Sequence, residues 1–430
     1  MLYGNIYKKR SYLFILLLII ILSPSGYVFA EKAEKYERPK TVSASDIISK
    51  ALLKGPHNKI EEKVVTYNGF TNHFIISSDF GRFKAVGNGM VPVRIQEINA
   101  IAKLDEMKKS AAFVDGLKES SGSMLETSKN LIIHPVNTIS GIPSGLYNIF
   151  SDTGIVFGKV VKGEATFSEG AEKLGKATVG FSRNKREMAF SLGVNRYSDN
   201  KMLQEYLNSV SWATTGGSFT VDLGKMAVAG PAGVALSVIG TSRALNRMMR
   251  DNSNPGLERI NRKALKGIGL KEIDIDLFLA TRNMTPRHTT AITQSLVSLS
   301  KAKKREAFLL LATFESLTID DANMNQAVAA MIAAYNRTKS PITEMVLFEN
   351  VVMCRNKKGA YVLTYPIDNF YWTKNTAAKT KKVTAAIPSN GKKELWISGK
   401  FSELASRKLK ELGWEIYDRS LEKLNLGNPY

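Results

Sequence analysis

Residues 219–243 read FTVDLGKMAVAGPAGVALSVIGTSR, and the organisation of the middle of the chain turns on them. From Met226 to Ser242 there is no charge, and the residues are mainly Ala, Val and Gly. Such a run either packs as a buried, tightly apposed hairpin or inserts into a membrane. Pro231 lies inside it, Gly230, Gly233 and Gly240 weaken its apolar drive, and it falls short of the about 20 residues that span a bilayer. The buried hairpin is the better reading. Its expected partner is the apolar stretch 139–161, ISGIPSGLYNIFSDTGIVFGKVV, where Gly141, Gly145, Gly154 and Gly158 let backbones approach closely. Pro143 and Asp152 prevent that stretch from being one spanning helix.

Between these two segments the chain is basic. The run from Ser182 to Gly193, SRNKREMAFSLG, reads as a capped helix stopped by glycine, and VNRYSDN as a turn. A second amphipathic helix over 201–212 carries Leu203, Tyr206, Leu207 and Val210 on one side. Arg183, Lys185, Arg186, Arg196 and Lys201 are the candidate contacts to an anionic surface. The run KREMAFSLGVNRYSDNKMLQEYLNSVSWA, with the upstream YNGFTNHFIISSDFGRFKAVG and IPSGLYNIF, resembles an uncharacterised group of exported bacterial proteins. The resemblance covers much of residues 59–245. It implies export and brings no activity with it.

The N-terminus carries its own export signal. Lys8, Lys9 and Arg10 precede LFILLLIIIL, and Val28 and Ala30 suit signal peptidase, so residues 1–30 are expected to be cleaved. The chain has 60 Lys and Arg against 39 Asp and Glu, net +21; loss of the three leader cations leaves +18. Export removes nucleic acid as the partner of that charge. Anionic lipid or an envelope polymer takes its place, together with a protein partner in the envelope.

The remaining architecture is read as α+β and multidomain. Residues 31–45 form a flexible leader. Residues 46–138 form an α+β domain, with a three-stranded antiparallel sheet over 60–86, a helix over 91–117 bearing Ile95, Ile98, Ile101, Ala102 and Met107, and a second helix ending at His134. Residues 139–250 form the Gly-rich, mostly helical centre. Residues 257–338 form a helical domain, with helices over 257–265, 273–281, 287–300, 304–316 and 322–335. Thr285-Pro286 and Thr318-Ile319-Asp320-Asp321 mark helix starts. Residues 340–430 form a small α+β domain with a hairpin about Asn356-Lys-Lys-Gly359, a basic linker KTKKVTAAIPSNGKK, and a final strand–helix–strand crossover stopped by Gly413.

No catalytic motif is complete. Gly170-Ala-Glu-Lys-Leu-Gly-Lys176 lacks the Ser or Thr of a phosphate loop, having Ala177 there. The 182–212 region has too long a turn for a DNA-binding helix pair. Ser182-x-x-Lys185 and Ser298-x-x-Lys301 fit a serine–lysine spacing without its companion motif. Ser144 is out of place for a nucleophile elbow. His57, His73, His134 and His288 are scattered, so no metal site is expected. Asp274, Asp276, Asp320 and Asp321 read as solvated helix-start charges. The lone Cys354, in an apolar run, reads as a buried structural thiol. No cofactor is expected. The sequence points to a non-enzymatic exported envelope protein that binds or scaffolds. A hydrolase acting on an envelope polymer and a membrane-inserting secreted effector are the alternatives.

Overall fold

Residues 35–120, 169–215, 219–222, 243–348 and 350–430 are described by a computed structural model of the chain. The leader 1–30, the helix expected before His134, the stretch 139–161 and most of the 219–243 run lie outside the described residues.

The first layer is an antiparallel sheet of β1 (Thr41–Ser43), β2 (Asn58–Ile60), β3 (Lys63–Tyr67), β4 (Thr71–Ser78) and β5 (Gly81–Val86). Five strands replace the three expected, because β1 and β2 are too short to show a period of two. Asn68 and Gly69 both take positive φ (51° and 79°), the left-handed pair of a primed turn that joins β3 to β4. The segment after residue 36, expected as flexible leader, is tied down here. Glu37 accepts hydrogen bonds from the Trp372 N–H and the Ser402 hydroxyl, and residues 41–43 pair with 63–65. The short helix α1 (Lys50–Leu53) precedes β2.

Helix α2 (Met90–Lys108) packs on β5. Its Ile95 and Ile98 join the sheet's core with Val64, Phe74 and Ile76. Its Ile101 and Leu104 face a second core, shared with α3 (Ala111–Ser120), α4 (Glu169–Ser191) and α5 (Lys201–Thr215). The single helix expected over 91–117 is broken because the Ser110 hydroxyl caps Phe113 N–H at 3.2 Å and starts a new helix. Helix α4 runs unbroken through Gly170–Lys176 and Ser182, so the phosphate-loop look-alike is helix and Ser182 is no cap. Gly193, at φ 68°, ends the helix; Val194 N–H reaches back to the Ala189 carbonyl at 2.9 Å. Helices α4 and α5 form a packed hairpin. The 219–243 run starts there: Phe219 is buried edge-on against Phe113, with ring centroids 5.7 Å apart.

The helical stretch comprises α6 (Arg243–Asp251), α7 (Asn254–Gly267), α8 (Glu272–Leu279), α9 (Pro286–Ser298), α10 (Glu306–Glu315) and α11 (Ile319–Thr338). Ser253 caps α7, and both expected starts hold. Pro286 opens α9, and Thr318 forms a reciprocal cap with Asp321.

The last sheet has the order β12-β10-β8-β7-β6. Its strands are β6 (Ile342–Phe348), β7 (Val351–Asn356), β8 (Tyr361–Tyr365), β10 (Lys393–Ile397) and β12 (Trp414–Tyr417); the small pair β9 (Asn369–Phe370) and β11 (Lys400–Phe401) lies beside it. The β6–β7 and β7–β8 pairs are antiparallel, with Asn356–Gly359 turning between β7 and β8. Strands β8, β10 and β12 are parallel, connected through α12 (Lys374–Ala385) and α13 (Glu403–Glu411). The short α14 (Ser420–Lys423) follows. The first half of the expected basic linker is therefore the end of helix α12. Thr376, Ala377, Thr380 and Val383 recur at helical spacing and are buried, and Thr373 caps the start at 3.1 Å. The lysine content hid that stripe.

This sheet is covered on both faces. Val352, Cys354, Val362 and Trp396 pack into one core with residues of α8, α9, α10 and α11. Their neighbours Met353, Leu363, Leu395 and Ile397 pack with α12 and α13. The alternation is the period of two expected of strands, and α10 and α11 supply one outer layer of the sandwich. The junction near residue 339 thus divides the sequence but not the core.

The tail closes the fold onto its beginning. Asn428 Nδ2 donates to the Gly89 carbonyl at 2.5 Å, and Gln326 Nε2 to the Pro429 carbonyl at 2.9 Å. The buried Asp368 carboxylate accepts the N–H groups of Asn72 (2.8 Å) and Asn88 (2.9 Å).

Candidate anion-binding sites

The turn after Gly193 lays residues 194–200 across the start of α2. Arg94 holds Glu97 at 2.7 Å and Asp199 at 2.9 Å. Glu97 also accepts Ser198 Oγ (2.5 Å) and Asn200 Nδ2 (3.1 Å), so this buried carboxylate is fully used. The turn is thereby fixed, and a cleft of about 150 Å³ opens beside it. The ends of α2 and α4, the 193–199 turn, α6, and the starts of α9 and α11 contribute its walls.

Among the described residues four arginines line this cleft: Arg186, Arg196, Arg250 and Arg287. Arg186 donates to the Arg250 carbonyl and to Ser182 Oγ, both at 3.0 Å. Arg196 is buried. Its Nη2 is shared among Tyr197 Oη, the Asn252 carbonyl and Asn254 Oδ1, and its Nε–H has no partner among the described residues. Arg287 donates to Asn246 Oδ1 at 3.2 Å. Arg250 is half-exposed and pairs with Asp251 at 2.7 Å. Burial lowers the affinity of Arg186 and Arg196 for their protons and pushes Arg287 down to about 10. A desolvated guanidinium held by neutral oxygens is poorly compensated, and an anion offers what carbonyls do not.

His288 also lines the cleft, without the features of a general base. Its Nδ1 accepts the Thr285 N–H at 3.1 Å, which leaves the ring proton on Nε2, 2.9 Å from Asn323 Oδ1. Burial pushes its pKa down to about 4, so the ring is neutral and both nitrogens are engaged.

The five basic residues picked from the sequence separate in space. Arg183 is exposed and pairs with Glu187. Lys201 is exposed in the first turn of α5. Lys185 is partly buried on Gln204 Oε1 at 2.8 Å, and burial followed by Arg196 pushes it down to about 8. Arg186 and Arg196 turn to the cleft. The sequence reading missed Arg250, Arg287, Asn246 and Tyr197, which are scattered from position 197 to position 287 and form no motif; a basic residue beside the Thr285–His288 cap was the only local signal.

A second basic feature is a surface. The segment 373–393 contains no acid. Lys374, Lys379, Lys381, Lys382 and Lys392 are exposed along α12 and the turn after it. Elsewhere, Cys354 is buried and pushed up to about 12 by that burial. Among the described residues no group of His, Cys, Asp and Glu side chains is placed to hold a metal, and no helix is long and apolar enough to cross a membrane. No protein-family model, curated protein or solved structure matches the chain.

Proposed function

We propose that this chain is an exported cell-envelope protein that binds or scaffolds at an anionic surface, without catalysis of its own. The observation that carries the reading is the row of exposed lysines along α12 and the turn after it, a segment with no acid of its own. The buried stripe of that helix fixes its orientation, so Lys374, Lys379, Lys381, Lys382 and Lys392 stay on the outside. Each lysine close to an anionic bilayer contributes about 1 kcal/mol, and the effect decays over a Debye length of about 8 Å at physiological salt. The net charge of the chain supports the same partner class.

Co-sedimentation with anionic and neutral vesicles, and with an anionic wall polymer, tests this. Binding to an anionic partner should weaken with salt and drop when Lys374, Lys379, Lys381 and Lys382 are changed to Glu. Equal failure on the anionic and neutral partners, or binding indifferent to those four changes, overturns it.

A further inference from the structure

The lysine face is diffuse and open, whereas the arginine cleft is recessed and small. We infer that the cleft is a specific site for a phosphomonoester group: a compact dianion held by Arg186 and Arg196, with its organic stub against the apolar side. This goes beyond the surface reading and does not depend on it.

Charge selects a dianion. Among the described residues, Arg186, Arg196, Arg250 and Arg287 stand against Glu97 and Asp199 in the lining. Arg94 bridges those two carboxylates, and Asp251 pairs with Arg250. Five guanidiniums face three carboxylates, an excess of two positive charges. A carboxylate ligand meets half of that excess; a phosphomonoester above its second ionisation meets all of it.

Donors and size agree. Arg186 and Arg196 hydrogen-bond only to hydroxyl, amide and carbonyl oxygens, so neither is committed to an internal carboxylate. The buried Nε–H of Arg196 has no partner among the described residues, and a guanidinium presents such a donor in a geometry suited to two phosphate oxygens. The cleft's 150 Å³ is below the about 300–1,000 Å³ of drug-sized ligand sites. Met90, Val93, Phe190, Val194 and Met249 supply an apolar flank, which suits a short carbon stub and offers nothing to a bare ion.

Calorimetric titration of the full chain at constant ionic strength tests this, with inorganic phosphate, propyl phosphate and acetate as probes. Propyl phosphate should bind saturably, more tightly than inorganic phosphate, and about fourfold more tightly at pH 8 than at pH 5.5, where most of the second proton is retained. Acetate should not bind. Arg196→Lys should weaken propyl phosphate by about tenfold. Arg250→Ala, at a half-exposed position, should weaken it by several-fold while the unliganded melting temperature holds. The four Lys→Glu changes on α12 should leave it unaltered, which separates this site from the surface reading. Absence of saturable binding, equal affinity for acetate, or binding unchanged in both Arg196→Lys and Arg250→Ala overturns the assignment.

Discussion

Replacing Asp368 by Asn sets two effects of similar size against each other, and pH decides between them. The carboxylate is buried, 8% exposed, and accepts the Asn72 and Asn88 N–H groups at 2.8 and 2.9 Å. Burial pushes it up to about 6, against the lowering effect of those two bonds. An amide can accept only one of the N–H groups and turns its own NH₂ toward the other, a loss of about 1.5–3 kcal/mol. It also removes a desolvated charge. A folded-state pKa raised from an ordinary 3.8 to about 6 means the ionised form costs about 3 kcal/mol at neutral pH. That cost is already net of the two bonds to the carboxylate, so at pH 7.5 the variant should be at least as stable as wild type. The sign of the pH dependence follows from the raised value. The stability linked to this proton is fully present below 3.8 and is lost as pH rises through about 6. Between pH 7.5 and 4.5 the wild type should therefore gain about 2 kcal/mol relative to Asp368→Asn. Urea unfolding followed by tryptophan fluorescence measures it, since Trp372, Trp396 and Trp414 are buried around this region. A stability difference that does not change with pH, or one that grows toward pH 7.5, would show that the backbone bonds outweigh burial.

Gly399 has no room for a side chain: a Cβ there falls 1.8 Å from the Asp368 carbonyl oxygen and 2.2 Å from its carbon. Because backbone cannot move aside cheaply, Gly399→Ala should lower stability by about 1–3 kcal/mol or more in the same urea assay, and a neutral result refutes the close approach. Cys354 sits in the core shared by the helices and the sheet. In native buffer it should react with a thiol reagent only as fast as that core opens, and labelling should accelerate in urea together with the tryptophan signal; rapid labelling of the folded chain contradicts the burial.

Long, strongly patterned elements were legible in the sequence. The apolar stripe of α2, the hairpin of α4 and α5, the capped starts of α9 and α11 and the final strand–helix–strand are where the residues imply. The boundary in α2–α3 was missed because one serine hydroxyl decides it. Helix α12 was missed because a composition rich in lysine reads as solvated chain, although Thr376, Ala377, Thr380 and Val383 carry the helical period. The leader's attachment was invisible for a different reason: Glu37 is held by residues 335 and 365 positions away, and no local pattern encodes such a partner. The cleft is the extreme case. Arg186 and Arg196 stood out as basic, but their grouping with Arg250 and Arg287 depends on how three helices and a turn converge.

The contact between Asn428 and Gly89 has a consequence in time. A ribosome adds about 5–20 residues per second, so the 339 positions between them correspond to tens of seconds. For all of that interval the first sheet and α2 lack the tail, and for most of it they also lack Asp368 and the Gln326 amide that fixes Pro429. The parts made first are the last to be locked.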